Sequence, residues 1–515
     1  MNRRHRLTLV SAAFTVAAAA RAQNGQISGI VHDPTGASVV RAEIRLTDQR
    51  TQRVLTTTTN GSGLYQFSSL VPSSYTLQLS TPGFASESVA DIVIDVASHV
   101  TRDLTLRVGS SSETVQVDGS QQELETIGAT VSTVINREFV ENLPLNGRSF
   151  QSLITLSPGV LIVPSQGSGS SGEISVNGQR TEANYYTIDG ISANTGATVS
   201  TSGSPGAGFS GSTPQGSALG TTQSIVSIDA LEEFRSSTSS YSAEYGRTPG
   251  GQFNFSTRSG TNRWHGSAFD FLRNDALDAR NAFDIVKLPE RQNDFGGTLG
   301  GYLRIPGLYN GRDRTFFFFS YEGLRLTNPV AAQLYEVPSN ALRAAAPAAL
   351  KPFLNAFPVS DGADLGGTLA GLANLTVGYS APSRLDTSSI RIDHALSDRF
   401  RLFGRYSDVP SQSISRQTTD LAQVNATTRN VKTVVLGLSS TLSRSLVNEF
   451  RVGVTGNDYK SDRYLDNFGG ATPLTISTAP GLSNGDWMTF FLFYGLYPYY
   501  LIEPQSNRQR QFNLV

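Results

Sequence analysis

Apolar and polar residues alternate in short runs between residues 26 and 108. Strict alternation predicts strands with one buried face, and turn residues such as Asp33-Pro34-Thr35-Gly36 and Asn60-Gly61-Ser62-Gly63 separate the runs. Roughly seven short strands at this spacing predict a β-sandwich, which we expect to span residues 23–109. The alternating positions are Ile27/Gly29/Val31, Ala42/Ile44/Leu46, Tyr65/Phe67, Tyr75/Leu77/Leu79, Ile92/Ile94/Val96 and Leu104/Leu106/Val108.

The stretch over residues 113–262 mixes short helical and extended patterns. A short helix is expected from Glu138 and ends before Pro144, because proline interrupts a helix. Strands are expected at Ile174–Asn177 and Tyr185–Asp189. Residues 192–220 are rich in Ser, Gly and Thr, a composition typical of a loop. We therefore expect a separate α+β unit here.

From Arg263 onward the alternating runs become longer. In one of them Phe400, Leu402, Gly404 and Tyr406 share a face. Strands of about ten residues with one apolar face, aromatic ends and short turns on one side are typical of an outer-membrane barrel. A soluble sandwich is the alternative for this pattern. The fold class that we predict is mainly β: a sandwich, an α+β unit, then a transmembrane antiparallel β-barrel over residues 263–515.

The amino terminus predicts export. Three arginines within the first six residues precede an apolar stretch from Leu7 to Ala20, and Ala20-Arg21-Ala22 is a small-residue cleavage site before Gln23. This is the pattern of a secretory signal peptide over residues 1–22. An amino-terminal membrane anchor is the alternative, but the apolar run is too short to span a bilayer. The chain has no cysteine, so it can form no disulfide.

Composition argues against nucleic-acid binding and against an enzyme. Charge is balanced, with 41 Lys+Arg and 42 Asp+Glu, so no basic footprint for nucleic acid is present. His32 and His99 have no metal-ligand partner at a suitable spacing, and we predict that both are surface or structural residues. H-E-x-x-H, G-x-S-x-G and phosphate-loop motifs are absent from the sequence. We therefore predict no catalytic, metal or cofactor site.

Several long motifs carry a family resemblance. The run "GQISGIVHDPTGASVVRAEIRLTDQR" and its continuation to Phe84 resemble the carboxypeptidase regulatory-like domain, a transthyretin-like and carbohydrate-binding-like sandwich. "LPLNGRSFQSLITLSPGV", "VNGQRTEANYYTIDG" and "IDALEEFRSSTSSYSAEYGRTPGGQFNFSTRSGTNRWHG" resemble the Oar-like branch of the TonB-dependent receptors. "QNDFGGTLGGYL" and "RTFFFFSYEGLR" extend the resemblance into the barrel, so that it covers nearly the whole mature chain.

The resemblance implies an outer-membrane receptor for active uptake of a large solute. The plug would fill the lumen, and the sandwich and plug would be reached from the periplasm. The implied partners are the TonB energy-coupling complex, outer-membrane lipid and an unknown ligand, which could be a glycan, a peptide or a chelate. A surface adhesin or carbohydrate-binding protein without transport is the alternative function.

Two sets of residues are candidate functional positions. One set follows a polar linker at Ser110–Ser112 and is either a strand of the plug or a segment that adds a strand to TonB. The other lies in a motif that the resemblance places in the plug core, where we predict a structural role. The first set is Glu113, Thr114, Val115, Gln116 and Val117, and the second is Asn177, Gly178, Arg180, Asp189 and Gly190.

The resemblance also assigns the junction of plug and barrel. Gly250-Gly251 would let the backbone pass close to its neighbours, Phe253 and Phe255 would anchor the last plug strand, and Trp264 would begin the first barrel strand at the membrane interface. Residues 263–515 are too few for the about 22 strands of a large plugged barrel, and Val515 is not aromatic. We therefore expect a partial barrel and a fragment of a longer protein.

Overall fold

The computed structural model describes residues 24–109, 114–118, 130–142, 151–163, 173–195, 213–214, 216–219, 226–241, 246, 248–280, 287, 289–416, 420–443, 446–473, 488–489, 499–500 and 505–515. Three sequence predictions lie wholly or largely outside these residues. They concern the signal peptide, Glu113 and most of the loop over residues 192–220. The signal peptide therefore stays a prediction.

The amino-terminal unit consists of two sheets packed face to face. One sheet has the order β4-β1-β7, with β8 also paired to β1, and the other has the order β3-β2-β5-β6-β9. Every second residue of β1 from Gly25 is buried, and the inner faces of both sheets share one apolar core. This confirms the predicted sandwich. The strands are β1 (Gly25–His32), β2 (Glu43–Asp48), β3 (Val54–Thr58), β4 (Leu64–Leu70), β5 (Ser73–Ser80), β6 (Ser86–Ile94), β7 (His99–Thr101), β8 (Leu104–Thr105) and β9 (Thr114–Asp118).

The plug has a five-stranded sheet with the order β10-β17-β18-β13-β14. Aromatic rings fill its core: Tyr186 stacks on Phe253 at 4.8 Å, and Phe234 stacks on Phe255 at 5.3 Å. This packing agrees with the prediction that Phe253 and Phe255 anchor the last plug strand. The elements are β10 (Val131–Ile135), α1 (Arg137–Asn142), α2 (Gln151–Ile154), β11 (Val160–Val163), β12 (Glu173–Val176), β13 (Tyr185–Ile188), β14 (Ile191–Ser192), β15 (Asn194–Thr195), β16 (Thr213–Pro214), β17 (Leu231–Ser239) and β18 (Gln252–Thr257).

The carboxy-terminal half forms one antiparallel sheet of eight strands, in the order β19-β20-β23-β24-β25-β26-β27-β30. Its long strands reach 24 residues, well beyond the predicted length. In the described residues β19 and β30 are the two edges, so this sheet is an open wall. The eight strands of the sheet are β19 (His265–Asn274), β20 (Arg291–Tyr302), β23 (Thr315–Pro338), β24 (Leu372–Ala395), β25 (Phe400–Arg416), β26 (Gln423–Ser443), β27 (Leu446–Leu465) and β30 (Gln505–Leu514). Two separate pairs are β21 (Arg304–Ile305) with β22 (Tyr309–Asn310), and β28 (Met488–Thr489) with β29 (Tyr499–Tyr500).

The two faces of this wall differ in chemistry. One row of residues in direct cross-strand register is apolar and 41–44% exposed, and it consists of Leu299, Phe319, Ile390, Tyr406 and Val434. The neighbouring row faces the plug and is buried, and it contains Phe318, Arg391, Arg405 and Val435. An apolar outer face and a polar inner face are the arrangement of an outer-membrane barrel. The predicted first part of such a barrel is confirmed.

The connections of the wall differ at its two ends. The end that we call the short-turn rim has the turn Leu396–Arg399 and the small β21–β22 hairpin over Leu303–Arg314. The other end has the long connection over residues 339–371, which carries α3 (Asn340–Ala345) and α4 (Lys351–Asn355). Short turns face the periplasm in outer-membrane barrels. The short-turn rim is therefore the periplasmic end.

Helices play a small part in this fold. In the described residues, none is both long enough and apolar enough to cross a membrane.

Candidate functional site

The tip of a plug hairpin presses against the inner face of the wall. Asp189 and Gly190 form the two-residue loop between β13 and β14, and both have positive φ, at 47° and 83°. Such a loop matches the type I′ turn, in which Asp-Gly is a preferred pair. A Cβ at Gly190 would lie 1.8 Å from Nη1 of Arg451 on β27. Glycine is favoured here by its positive φ, and a larger residue would also require the Arg451 side chain to move.

The carboxylate of Asp189 is held by both the plug and the wall. From the plug, the Thr257 N–H donates to Oδ1 at 3.0 Å and its hydroxyl donates to Oδ2 at 2.9 Å. From the wall, Arg391 Nη1 donates to Oδ1 at 3.1 Å, and Arg405 Nε lies 2.8 Å from Oδ2. The Arg405 approach lies off its N–H direction, so this contact is an ion pair rather than a hydrogen bond. We call Asp189, Thr257, Arg391 and Arg405 the plug seat.

The plug seat brings two arginines together on the wall. Arg391 and Arg405 are directly opposite each other in the β24–β25 ladder, and both are under 10% exposed. Like charges in directly opposed positions destabilise a sheet. Asp189 of the plug offsets one charge, and Asp393 on the same strand as Arg391 contacts that arginine at 2.9 Å. The plug thus supplies a charge that the wall needs.

The electrostatics keep Asp189 ionised. Burial alone would raise the pKa of Asp189, which is 6% exposed. Arg391, Arg405 and the two bonds from Thr257 outweigh that effect and hold the pKa below its ordinary value. A buried charge is stable only where it is paired and hydrogen-bonded. Both conditions are met at the plug seat.

The plug has a core of its own. Its buried apolar cluster is made of plug side chains that lie between Ile135 and Phe255 in the sequence. Among the described residues of the wall, Phe318 joins this cluster. Several further contacts between plug and wall are polar: Ser411 and Ser413 bond the backbone of Ala218, and the Ser227 hydroxyl donates to Glu322. Leu219 adds an apolar contact with a cluster of wall side chains. The plug therefore has a core of its own and is fastened to the wall by buried polar contacts together with apolar contacts at Phe318 and Leu219.

The other plug-motif residues have different surroundings. Asn177 and Gly178 form a turn after β12 with positive φ, at 50° and 74°, and Asn177 Nδ2 donates to Thr238 O at 3.0 Å. Arg180 is exposed, so the expectation that it lies in the plug core is wrong for this residue. It follows the turn and leads into a 3₁₀ helix on the surface. The motif contains two glycine turns, and only the Asp189-Gly190 turn reaches the wall.

The candidate TonB segment is described as β9, over Thr114–Asp118. It runs parallel to β6 at the end of a sandwich sheet, with Val115 opposite Glu87. It does not join the plug sheet, whose described strands are β10, β17, β18, β13 and β14. The assignment of this segment to TonB stays a prediction.

Two features of the site were missed from the sequence. The wall arginines had a signal, because Arg391 stands between Ile390 and Ile392 in an alternating run and must face the lumen side. The contacts of the plug with the sandwich had no such signal. In the described residues, no group of three or more His, Asp or Glu side chains could hold a metal ion.

Together, an amino-terminal sandwich, a plug with its own core and a wall with an apolar outer face define part of a plugged outer-membrane barrel. Family models agree with this division. The outer membrane beta barrel domain matches residues 256–514, the carboxypeptidase regulatory-like domain matches 26–107, and the TonB-dependent receptor plug domain matches 123–252. The first of these covers half of the chain. The chain belongs to the outer membrane beta barrel family, and its plug matches the plug domain of TonB-dependent receptors.

Relatives extend the comparison. The chain is 26% identical over 334 residues to the TonB-dependent transporter Oar of Myxococcus xanthus, a match that covers 61% of this chain and 28% of that protein. Among solved structures, it is similar to the outer membrane transporter YddB of Escherichia coli, with 13% identity and a TM-score of 0.47 over 76% of this chain and 46% of that one. It is also similar to the alcaligin receptor FauA of Bordetella pertussis, with 11% identity and a TM-score of 0.38 over 68% of this chain and 50% of that one. The chain spans half or less of the length of each of these relatives.

Proposed function

We propose that this protein takes part in TonB-dependent active uptake of a large solute across the outer membrane. The observation that carries this proposal is the construction of the plug seat. The plug has its own apolar core, and buried polar groups fasten it to the wall. Water can replace polar partners when such contacts part. At the loss of the apolar contacts of Phe318 and Leu219, the plug can therefore move with most of its own core intact, which a gated transporter needs.

The partners follow from the same arrangement. Outer-membrane lipid covers the apolar row that includes Ile390, Tyr406 and Val434. TonB binds β9 by strand addition, since β9 is the end strand of its sheet and has one ladder partner, β6. The similarity to a protein named a TonB-dependent transporter supports this assignment. The solute is a glycan, a peptide or a chelate, and the choice among these stays open.

The adhesin alternative gains no support. A surface adhesin would present its sandwich outside the cell. Here the sandwich bonds the short-turn rim, where Arg53 Nη2 donates to Asp398 O at 2.9 Å. That rim faces the periplasm.

Cysteine cross-linking tests TonB binding at β9. The chain has no cysteine, so Val115→Cys introduces a single thiol. We expect it to form a disulfide with a TonB periplasmic domain that carries one cysteine. The matched control is Val54→Cys on β3, the other end strand of the same sheet, where Val54 is 45% exposed. Equal cross-linking at the two positions, or none at Val115→Cys, would overturn the assignment of β9 to TonB.

Proline substitution separates main-chain from side-chain recognition. Strand addition uses backbone donors, and proline removes one. Val115→Pro should abolish binding of the TonB periplasmic domain, whereas Val115→Ala should retain it. Equal binding by both variants would show that TonB contacts another stretch of the chain.

A further inference from the structure

The sandwich contacts both the plug and the wall. Toward the plug, Arg50 Nη1 lies 2.6 Å from Glu232 Oε1, and the Val96 N–H donates to the carboxylate of Glu233. Toward the wall, the sandwich makes four bonds at the short-turn rim and the plug–barrel junction beside it. These bonds are Arg53 Nη2 to Asp398 O at 2.9 Å, Arg401 Nη2 to Ser69 O at 2.6 Å, Asn24 Nδ2 to Glu449 Oε1 at 2.5 Å, and Asn262 Nδ2 to Thr51 O at 2.6 Å. The sandwich thus bridges the plug and the barrel rim.

A β-bulge in the plug creates the plug side of this bridge. In the β17–β18 ladder, Leu231 pairs with Thr257 and Glu233 pairs with Ser256, so Glu232 is an extra residue on β17. Neighbouring strand residues ordinarily point to opposite faces, and a bulge re-aims a side chain. Because of this bulge, both Glu232 and Glu233 contact the sandwich. The next residue, Phe234, returns to the plug core.

A turn in the sandwich supplies the matching donor. After β6 the chain turns over Asp95–Ser98, with Ser98 N–H donating to Asp95 O at 3.2 Å and Ala97 at a φ of 52°. The bond that closes this turn does not use the Val96 N–H, which donates to Glu233 instead. Val96 is 1% exposed and Glu233 is 5% exposed. The contact is therefore fully enclosed between the two units.

The bonds named here that hold the bridge are polar. The apolar core of the sandwich lies between Ile27 and Leu106, and the apolar core of the plug contains none of its residues. Polar contacts of this kind hold two bodies in one orientation but release them without exposing a core. β6, which ends just before this turn, also carries β9 along its edge.

We propose that the N-terminal sandwich is a clamp that holds the plug against the periplasmic rim, and that load on Thr114–Asp118 opens the clamp before it reaches the plug. This inference rests on the transport function proposed above. A pull on β9 acts on β6 and hence on the turn that holds Glu233. On this proposal, the load reaches the plug chain after the sandwich yields.

The surroundings of Glu233 make the clamp sensitive to pH. Burial, then the neighbouring Asp95, raise the pKa of Glu233 well above its ordinary value, while the Val96 N–H and Arg235 oppose this and Glu232 adds to it. A group whose pKa is raised on docking favours the docked state at low pH, and that contribution is lost as pH rises through the raised value. The clamp should therefore loosen as pH rises above the ordinary glutamate value of 4.5.

Hydrogen exchange on the full chain in detergent, without TonB, tests the clamp. Glu233→Ala should speed exchange of the amides in β17 and in the turn Asp95–Ser98 about tenfold, because a buried hydrogen bond to a carboxyl group is lost. Glu233→Gln keeps an acceptor for Val96 and should stay close to the parent. In the parent, protection of both segments from exchange should decline as pH rises. In Glu233→Gln, it should not. The control, Arg45→Ala, breaks an exposed pair on the same sandwich and should change neither segment.

Each outcome decides for or against the clamp. Unchanged exchange of both segments in Glu233→Ala, or faster exchange spread evenly over the whole chain, would overturn it. If Glu233→Ala does not fold, Arg50→Ala breaks the partly exposed pair to Glu232 and should speed the same two segments; no change there would also overturn it. These measurements need no TonB, so the clamp can fail while cross-linking at Val115→Cys succeeds, and the reverse.

Single-molecule pulling tests the order of opening. With Val115→Cys as the attachment point and the protein held in a bilayer, we expect an early release step that precedes plug extension. Glu233→Ala should remove or weaken this step, and Glu233→Gln should retain it. An early step that is the same in Glu233→Ala and the parent would overturn the proposed order.

Discussion

The plug is attached to two neighbours, the wall and the sandwich, and each attachment includes one buried carboxyl group. Asp189 meets the wall and Glu233 meets the sandwich, and they are 6% and 5% exposed. Asp189 lies between Arg391 and Arg405. Glu233 accepts from a backbone N–H and lies near another carboxyl group, Asp95. Equal burial thus leads to opposite pKa shifts, because the neighbouring charges differ.

The difference indicates different tasks. The wall contact is an ion cluster, in which loss of one partner strands another charge in the interior. The sandwich contact combines one buried hydrogen bond with a partly buried ion pair, so it can open at lower cost. We expect the plug to leave the sandwich more readily than it leaves the wall.

The largest effect should follow removal of Asp189. Asp189→Ala leaves two opposed arginines without their plug partner, and loss of one member of a buried pair costs about 3–5 kcal/mol. Folded yield and thermal stability should both fall. The control is Asp462→Ala, which breaks the exposed pair with Lys460 and should cost about 0–1 kcal/mol.

A double variant shows whether charge causes that loss. Asp189→Asn combined with Arg405→Gln removes one charge of each sign and should be more stable than Asp189→Asn alone. If the double variant is simply the sum of the two single losses, the seat acts by shape rather than by charge. Normal folding of Asp189→Ala with altered ligand preference would instead favour a direct binding role for Asp189.

Part of this site could be predicted from the sequence. The Asp189-Gly190 turn follows from residue chemistry, and the inward position of Arg391 follows from strand alternation. Their contact spans 202 positions of the chain, which no local pattern encodes. The bulge at Glu232 also lacks a local signal, because it depends on the register with β18. Local chemistry predicts elements, whereas the site is formed by long-range packing.

The same limit applies to β9. Its alternation predicted an extended strand, and the structure has one. Alternation does not say which edge a strand will join, because every edge offers the same backbone groups. The sequence left open the plug or TonB as its partner, and the structure places it on β6 of the sandwich.

A pH series should separate the two attachments. The lowered pKa of Asp189 stabilises the seat above the ordinary aspartate value of 3.8, and that contribution is lost as pH falls below it. The raised pKa of Glu233 favours the sandwich contact at low pH, and that contribution is lost as pH rises. Acid should therefore weaken the wall contact and strengthen the sandwich contact. Hydrogen exchange of β13–β14 and of Asp95–Ser98, corrected for the intrinsic rate at each pH, measures the two responses; parallel responses would contradict the opposed shifts.

The smallest effect should come from the ion pair that flanks Glu233. Arg50 and Glu232 are 25% and 20% exposed, and Arg258 also lies 3.9 Å from Glu232, so Arg50→Ala leaves this carboxylate near a second cation. Exposed pairs contribute about 0–1 kcal/mol, and this partly buried pair should lie at the upper end of that range, which is a measurable change in exchange. In the same exchange measurement, we expect Arg50→Ala to loosen the clamp less than Glu233→Ala does. The effect of Arg50→Ala should be smaller still at high salt, because salt screens the ion pair. A loss as large as that of Glu233→Ala would show that the exposed charge pair, and not the enclosed bond to Val96, holds the sandwich to the plug.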